Sequence, residues 1–499
     1  MKIFLLSVST LVPTLLMLLM LLVSLIPTLA IKRLWQIFIV ISSLSLAFTL
    51  IAVFTRQNLP MLQTWLSVSM FGACMAVIVQ LLGTVIAVFS KRYLEGEPRQ
   101  RGYIMALAAV LLAVHILLLA NHWLVLIVAW SLVGIALQKL LCFYPDRPFA
   151  LLAAHKKRVA DRVADVLLIM AATLAWSEVG SGSLSVLWTH LEQHEMSTAL
   201  QLCAVCLVLA VMIRTALLPV HGWLIQVMEA PTPVSALLHA GVVNLGGYVL
   251  ILFAPLLEQA LPARILLVAF GLLTAILAGM VMLTRISIKV RLAWSTVAQM
   301  GFMIVECGLG LYTLAALHLI GHSLYKAHSF LSASTVVRQT RLQAMGGTIS
   351  PISISLFFAP VIAIPLVWLI QLIFSSAAWP WWWSVVLGLA WSPLLWLPMQ
   401  RSTIQDVLLY EFYGALMIVG LTSAALVAHT LPLGLYDTPN NLLGVIVLMG
   451  MAMLYVCLGL LQKYPQLLKT WRRWSYAGFY MDEVYTRLSL KIWPTRWNP

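Results

Sequence analysis

Three titratable side chains, His318, His322 and Lys326, recur at i, i+4 and i+8. In a helix that spacing stacks them on one face over roughly two turns, ~12 Å. Groups so placed can hand a proton along, directly or through a water. His-x-x-x-His also suits zinc, but no Cys or carboxylate on this segment completes a metal shell. Histidines satisfied as plain structure are the third alternative. Arg214 sits inside the apolar run Val211-Met-Ile-Arg-Thr-Ala-Leu-Leu-Pro219. Proline breaks a helix, and broken helices in transporters gather at sites near the membrane midplane. An arginine snorkelling to the boundary is the alternative, and the apolar run ahead of it weighs against that. His239 follows Pro231 and Pro233 on the next segment, and Asp165 closes Arg162-Val-Ala-Asp165. Asp165 can pair with a cation or simply orient its helix. Glu306 is the only acid in its segment, Lys139 lies late in an apolar run where snorkelling competes, and Lys289 precedes a run as a loop charge would. His221 and Glu229 follow Arg214 as secondary candidates. Asp406 and Glu411 flank a later run as ordinary boundary charges.

The elements that must hold these groups are membrane helices. The 499 residues are 62% hydrophobic and 9% charged, against about 25% charge in soluble domains, which excludes a water-soluble globular enzyme. Lys+Arg number 30 and Asp+Glu 16, a net +14. A nucleic-acid protein would concentrate that surplus in a polar domain, and the chain has none. The six cysteines are scattered through apolar runs, and Cys203-x-x-Cys206 reads as packing. A bilayer core needs about 20 apolar residues as helix, and by that ruler the sequence holds about fifteen spans. They run Phe4–Leu29, Leu34–Phe54, Trp65–Ser90, Ile104–Leu119, Trp123–Phe143, Val163–Trp176, Leu200–Val220 and Val234–Leu256. Then come Ala263–Leu283, Leu292–Leu311, Leu314–Val336, Ile352–Phe374, Trp381–Leu397, Leu408–Val427 and Leu442–Leu461. The first lacks a clean cleavage site and reads as a retained helix. Lys91-Arg92, Lys156-Lys157-Arg158 and Arg472-Arg473 read as orientation signals at the boundary. The chain divides into N-terminal helices (1–100), a core (101–345), C-terminal helices (346–462) and a basic aromatic tail (463–499). That tail suits an interfacial segment or a partner-docking one. Ionisable groups within spans cost at least ~2.5–3.5 kcal/mol and by default mark ion or proton paths.

At these same residues the sequence resembles a known family. Arg214-Thr-Ala-Leu-Leu-Pro-Val-His-Gly-Trp-Leu-Ile-Gln-Val-Met-Glu-Ala-Pro-Thr-Pro-Val-Ser-Ala-Leu-Leu-His239 is similar to the signature of antiporter-like subunits of respiratory complex I and Mrp-type antiporters. Ile288-Lys289-Val-Arg-Leu-Ala-Trp-Ser and His318-Leu-Ile-Gly-His322-Ser-Leu-Tyr-Lys326 resemble it too, the likeness covering roughly residues 90–340. It implies an all-α polytopic fold with inverted repeats and broken helices. It also implies a proton pathway: Arg214 stands where the family has a relay lysine, and His239, Lys289, His318, His322, Lys326 and Asp165 match further path positions.

The departures sharpen the reading. The family's glutamate after Trp in the fifth span is Ser131 here, in Ala129-Trp130-Ser131. A guanidinium does not ordinarily give up its proton, so Asp165 becomes the candidate replacement acid and Arg214 a fixed counter-charge. The span Ile352–Phe374 holds Pro360 and Pro365 but lacks the family's late lysine. A short chain of this kind, with Gly478-Phe-Tyr-Met-Asp-Glu-Val-Tyr-Thr-Arg-Leu-Ser-Leu-Lys-Ile-Trp-Pro near its end, resembles the DabB-type membrane subunits of two-component DAB inorganic carbon accumulation systems. That resemblance implies a bacterial inner-membrane, multi-pass subunit with no enzyme activity or cofactor of its own. It also implies a large cytoplasmic DabA-like partner carrying zinc, driven by protons or another cation. A subunit of an Mrp-type antiporter or of a complex I/hydrogenase-like pump is the alternative.

Overall fold

With no water to bond to in hydrocarbon, backbone N–H and C=O groups must pair within the segment, so apolar runs of this length fold as helices. The computed structural model describes residues 10–55, 62–333, 351–374, 379–397, 404–464, 466 and 469–495. The outer ends of two expected spans, Phe4 and Val336, and part of the tail through Pro499 lie outside them. Among the described residues the protein is all helical, with two isolated β-bridges and no strand. In chain order the helices are α1 (Val12–Ser24), α2 (Ile31–Thr55), α3 (Met70–Tyr93), α4 (Gln100–Leu118), α5 (Trp123–Leu141), α6 (Pro148–Val179) and α7 (Leu184–Gln193). There follow α8 (Thr198–Arg214), α9 (Gly222–Gln226), α10 (Thr232–Leu237), α11 (Leu245–Leu252), α12 (Ala254–Gln259), α13 (Leu261–Leu283), α14 (Ile288–Leu309) and α15 (Tyr312–Leu331). The last are α16 (Ser353–Ile373), α17 (Trp381–Trp391), α18 (Ile404–His429), α19 (Asn441–Lys463), α20 (Lys469–Tyr476) and α21 (Met481–Ile492).

Ten segments among the described residues are long and apolar enough to cross a membrane: α2 to α5, the run Thr232–Leu252, α13, α14, α16, α18 and α19. The sequence predicts about fifteen, and the difference has identifiable causes. α1, α8 and α17 are apolar but short. α6 and α15 are long but interrupted by charged and imidazole side chains.

Two breaks interrupt regular helix in the middle of the molecule. α8 ends at Arg214, and a turn with Ala216 in the left-handed region leads to α9. The run Thr232–Leu252 is split by a π turn, Leu238–Val242, that carries His239; π turns interrupt helices frequently at functional sites. α16 keeps Pro360 and Pro365 within one continuous helix. α6 begins far ahead of the expected Val163 and runs for 32 residues. Lys156 and Lys157, expected at the boundary, are therefore buried, while Lys91, Arg92, Arg472 and Arg473 are exposed.

A large apolar core runs from α1 through α15 and includes Tyr485 of α21. α16 to α19 form a flanking block with smaller cores around Trp382, Trp383, Val447 and around Ala363, Ile418. Large apolar side chains such as Phe54, Leu372 and Ile404 are exposed, as a lipid-facing surface requires. It is a multi-pass membrane protein. Its loops gather at two faces. On one, Asn121 donates to the Gln63 carbonyl at 2.6 Å and to Ser185 Oγ at 2.7 Å, and Arg264 donates to the Gly308 and Thr438 carbonyls at 2.9 and 3.1 Å. On the other, the Tyr144 hydroxyl donates to Glu97 at 3.4 Å, and Arg147 donates to the Glu229 carbonyl at 2.7 Å.

Candidate ion-translocation site

The long helix α6 supplies the first set of charges. Lys157, Asp161 and Asp165 recur every four residues, so they share a stripe, and all three are buried. Lys157 pairs with Asp161 and lies 5.4 Å from the Trp223 ring. Asp161 packs on Gly134 of α5, where a Cβ would come within 2.7 Å of its carboxylate, so a larger residue there would displace the acid. One turn deeper, Asp165 pairs with Arg214 across from α8 and with Arg162 at 3.0 Å. Ser131 donates to Asp165 at 2.7 Å. The Arg214 guanidinium lies 4.6 Å from the Trp130 ring. Carboxylate, guanidinium, hydroxyl and aromatic face thus converge where α8 stops. A buried guanidinium needs such a partner, because taking one member of a buried pair away leaves an uncompensated charge.

The second set lies on α14, α15 and the π turn. His318 bonds Glu306 through Nδ1 and Gln299 through Nε2, each at 2.8 Å. The His318 and His322 ring centroids are 6.2 Å apart. His322 and His239 are buried, and neither ring nitrogen of either has a hydrogen-bond partner among the described residues. His239 stacks on Phe330 at 4.6 Å. Lys326 is fully buried and donates to the Leu292 carbonyl at 3.0 Å and to Ser295 Oγ. Its partners are neutral oxygens, and among the described residues no carboxylate pairs with it. Asn244 ties the π turn to α15, donating to Ala240 O at 2.9 Å and Ser323 Oγ at 2.7 Å. From Glu306 on α14, the order His318, His322, Lys326 runs along α15 away from the face where Arg264 sits. Among the described residues no three His, Cys, Asp or Glu side chains are placed to hold a metal ion.

Residues 120–394 match the family described as NADH:quinone oxidoreductase/Mrp antiporter, transmembrane. The chain is 37% identical over 476 residues to "Probable inorganic carbon transporter subunit DabB" of Hydrogenovibrio crunogenus, covering 93% of this chain and 90% of that protein. The chain belongs to the DabB family. "Probable inorganic carbon transporter subunit DabB2" of Halothiobacillus neapolitanus is 44% identical over 293 residues, 58% of this chain and about half (52%) of that protein's length. A chain in the structure of the Mrp complex from Dietzia has the same fold, with a TM-score of 0.62 at 21% identity, over 98% of this chain and 61% of that one.

The remaining candidates of this DabB-family chain fall outside the two clusters. Lys289 donates to Thr232 Oγ1 at 2.8 Å, holding the start of α14 to the start of α10. Lys139 is exposed at the end of α5, and the Glu229 side chain is exposed too. His221 is buried against Trp294, ring centroids 4.8 Å apart, and points Nδ1 at the Pro219 carbonyl at 3.3 Å. Lys156, Lys157 and Asp161 are the residues that sequence reading missed. The signal was present in the four-residue recurrence Lys157, Asp161, Asp165, but a basic triplet resembles a boundary marker. In this DabB-family chain the acid beside Arg214 comes from α6, with Ser131 of α5 as its hydrogen-bond donor.

Proposed function

We propose that the chain is the membrane subunit of an energy-coupled inorganic carbon accumulation complex. It conducts protons, or another cation, down their gradient to drive a carbonic-anhydrase-like partner of the DabA kind, and that partner carries the zinc. The observation that carries this reading is the group His239, His318, His322 and Lys326: among the described residues the two buried imidazoles His239 and His322 lack partners and the buried Lys326 ammonium meets only neutral oxygens. An unpartnered buried polar group costs about 1–3 kcal/mol, and a relay position has reason to hold such groups. The names of the relatives supply the substrate class. Each proton entering supplies ~2.3 kcal/mol per 100 mV, enough to make CO2 hydration effectively one-way.

On this reading α1, α6, α8, α15 and α17 join the ten long spans to give fifteen crossings, arranged as inverted repeats in a bacterial inner membrane. The chain acts as a transporter subunit and leaves catalysis to its partner. Lys326→Ala, co-expressed with that partner, is expected to abolish growth in ambient air while growth at elevated CO2 persists. Unchanged growth in air would overturn the assignment. The matched family also includes Mrp antiporters, and that second reading requires sodium-dependent proton exchange by the purified assembly.

A further inference from the structure

The C-terminal helix α21 docks on α6 at Lys156, beside the outer end of the Lys157, Asp161, Asp165 stripe. Asp482, in the first turn of α21, pairs with Lys156. Gln226 Nε2 donates to the other Asp482 oxygen at 3.0 Å. Lys156 also donates to Gln226 Oε1 at 3.2 Å and to Thr486 Oγ1 at 2.9 Å, and the Tyr485 hydroxyl donates to the Lys156 carbonyl at 2.7 Å. Gly222 makes room for this: a Cβ there would overlap Asp482 and come within 2.9 Å of Lys156 Nζ. The Lys156 side chain is 0% exposed and that of Asp482 is 32% exposed. Solvent therefore reaches the acid and not the amine. Inward from Lys156, across the Gly222–Trp223 turn, lie the Lys157–Asp161 pair and then Asp165 with Arg214.

We infer that Asp482 is the acid through which this row opens to the face of the molecule where Tyr144 and Arg147 sit; the inference rests on the proton-conducting reading above. A proton from bulk water forms an O–H bond on the Asp482 carboxylate. That bond breaks as an N–H bond forms on the neutral Lys156 amine, leaving carboxylate beside ammonium. The ammonium then releases a proton inward to the Asp161 carboxylate through water, and the amine is restored. The reverse order serves outward flow. Asp482 is thus a member of the path contributed by a helix 326 residues further along the chain than Lys156.

The full chain, co-expressed with its partner and reconstituted in liposomes under a potassium/valinomycin potential, is assayed for proton flux with an internal pH dye. Asp482→Asn is expected to lower flux by about tenfold or more, as loss of a positioned proton-transfer group does, and Asp482→Glu to retain most of it. Lys156→Met combined with Asp482→Asn removes both charges. A role confined to neutralising the buried Lys156 predicts recovered flux in that double variant, and a path role predicts none. Flux in Asp482→Asn equal to that of the unaltered chain, or recovery in the double variant, overturns the inference alone. Absence of flux from the unaltered complex overturns the proton-conducting reading along with it.

Discussion

Arg214 is held by more than its charge. Asp165 pairs with it, Ser131 and Arg162 fix Asp165, and Trp130 covers the guanidinium face. With side-chain exposures of 4% and 10%, the pair is desolvated, so Asp165→Asn strands a buried cation at a cost of about 3–5 kcal/mol. A clear drop in the detergent-solubilised melting temperature is expected. Arg214→Met added to Asp165→Asn should restore much of it, since removing both partners leaves no bare charge. If the single variant melts like the unaltered protein, the pair does not hold the fold. The sequence displays Arg214 and Asp165 as separate ions in apolar surroundings. Their meeting is not legible there, because 49 residues and a helix crossing separate them and spacing encodes no crossing. The family pattern did point to Asp165 once Ser131 stood in the glutamate's place. By contrast the His318, His322, Lys326 face is legible directly, because its periodicity is local.

Helix breaks are the element-scale features that the sequence announces best. Pro219, and the Pro231 and Pro233 pair, predict interruption, and regular helix stops at Arg214 and restarts around them. The π turn at His239 has no such marker; it lies where Asn244 donates to Ser323 and His239 stacks on Phe330. The extent of α6 was also illegible, since its first turns mix charge with apolar residues and resemble a loop. Gly222 is where that helix, α9 and α21 come together. Gly222→Ala would push Asp482 away from Lys156 without altering any charge. It is expected to reproduce much of the Asp482→Asn flux defect in the same liposome assay, and an unaffected Gly222→Ala would show that the close approach is dispensable.

The two faces of the whole molecule differ in charge. Apart from Arg264, the described charged residues at the Asn121 face are Glu178, Glu192, Glu195, Glu258 and Asp437. The opposite face carries Lys91, Arg92, Arg147, Arg285, Arg291 and the basic helices α20 and α21. Basic loops stay on the cytoplasmic side, so the α20–α21 face is expected to be cytoplasmic. A cysteine in place of Arg472 should react with an impermeant maleimide only after cells are opened, and one in place of Glu192 should react in intact cells; the reverse pattern would invert the topology. The C-terminal helix also sets a timetable for biogenesis. Lys156 is buried in the folded chain, yet its counter-ion is encoded 326 residues later. At about 5–20 residues per second the ammonium waits roughly 15–65 s before Asp482 leaves the ribosome. During that interval the half-built protein carries an unneutralised lysine among its helices. Chains truncated before residue 482 are therefore expected to turn over faster in the membrane than the full chain, and equal half-lives in a pulse-chase would show that Lys156 does not need Asp482.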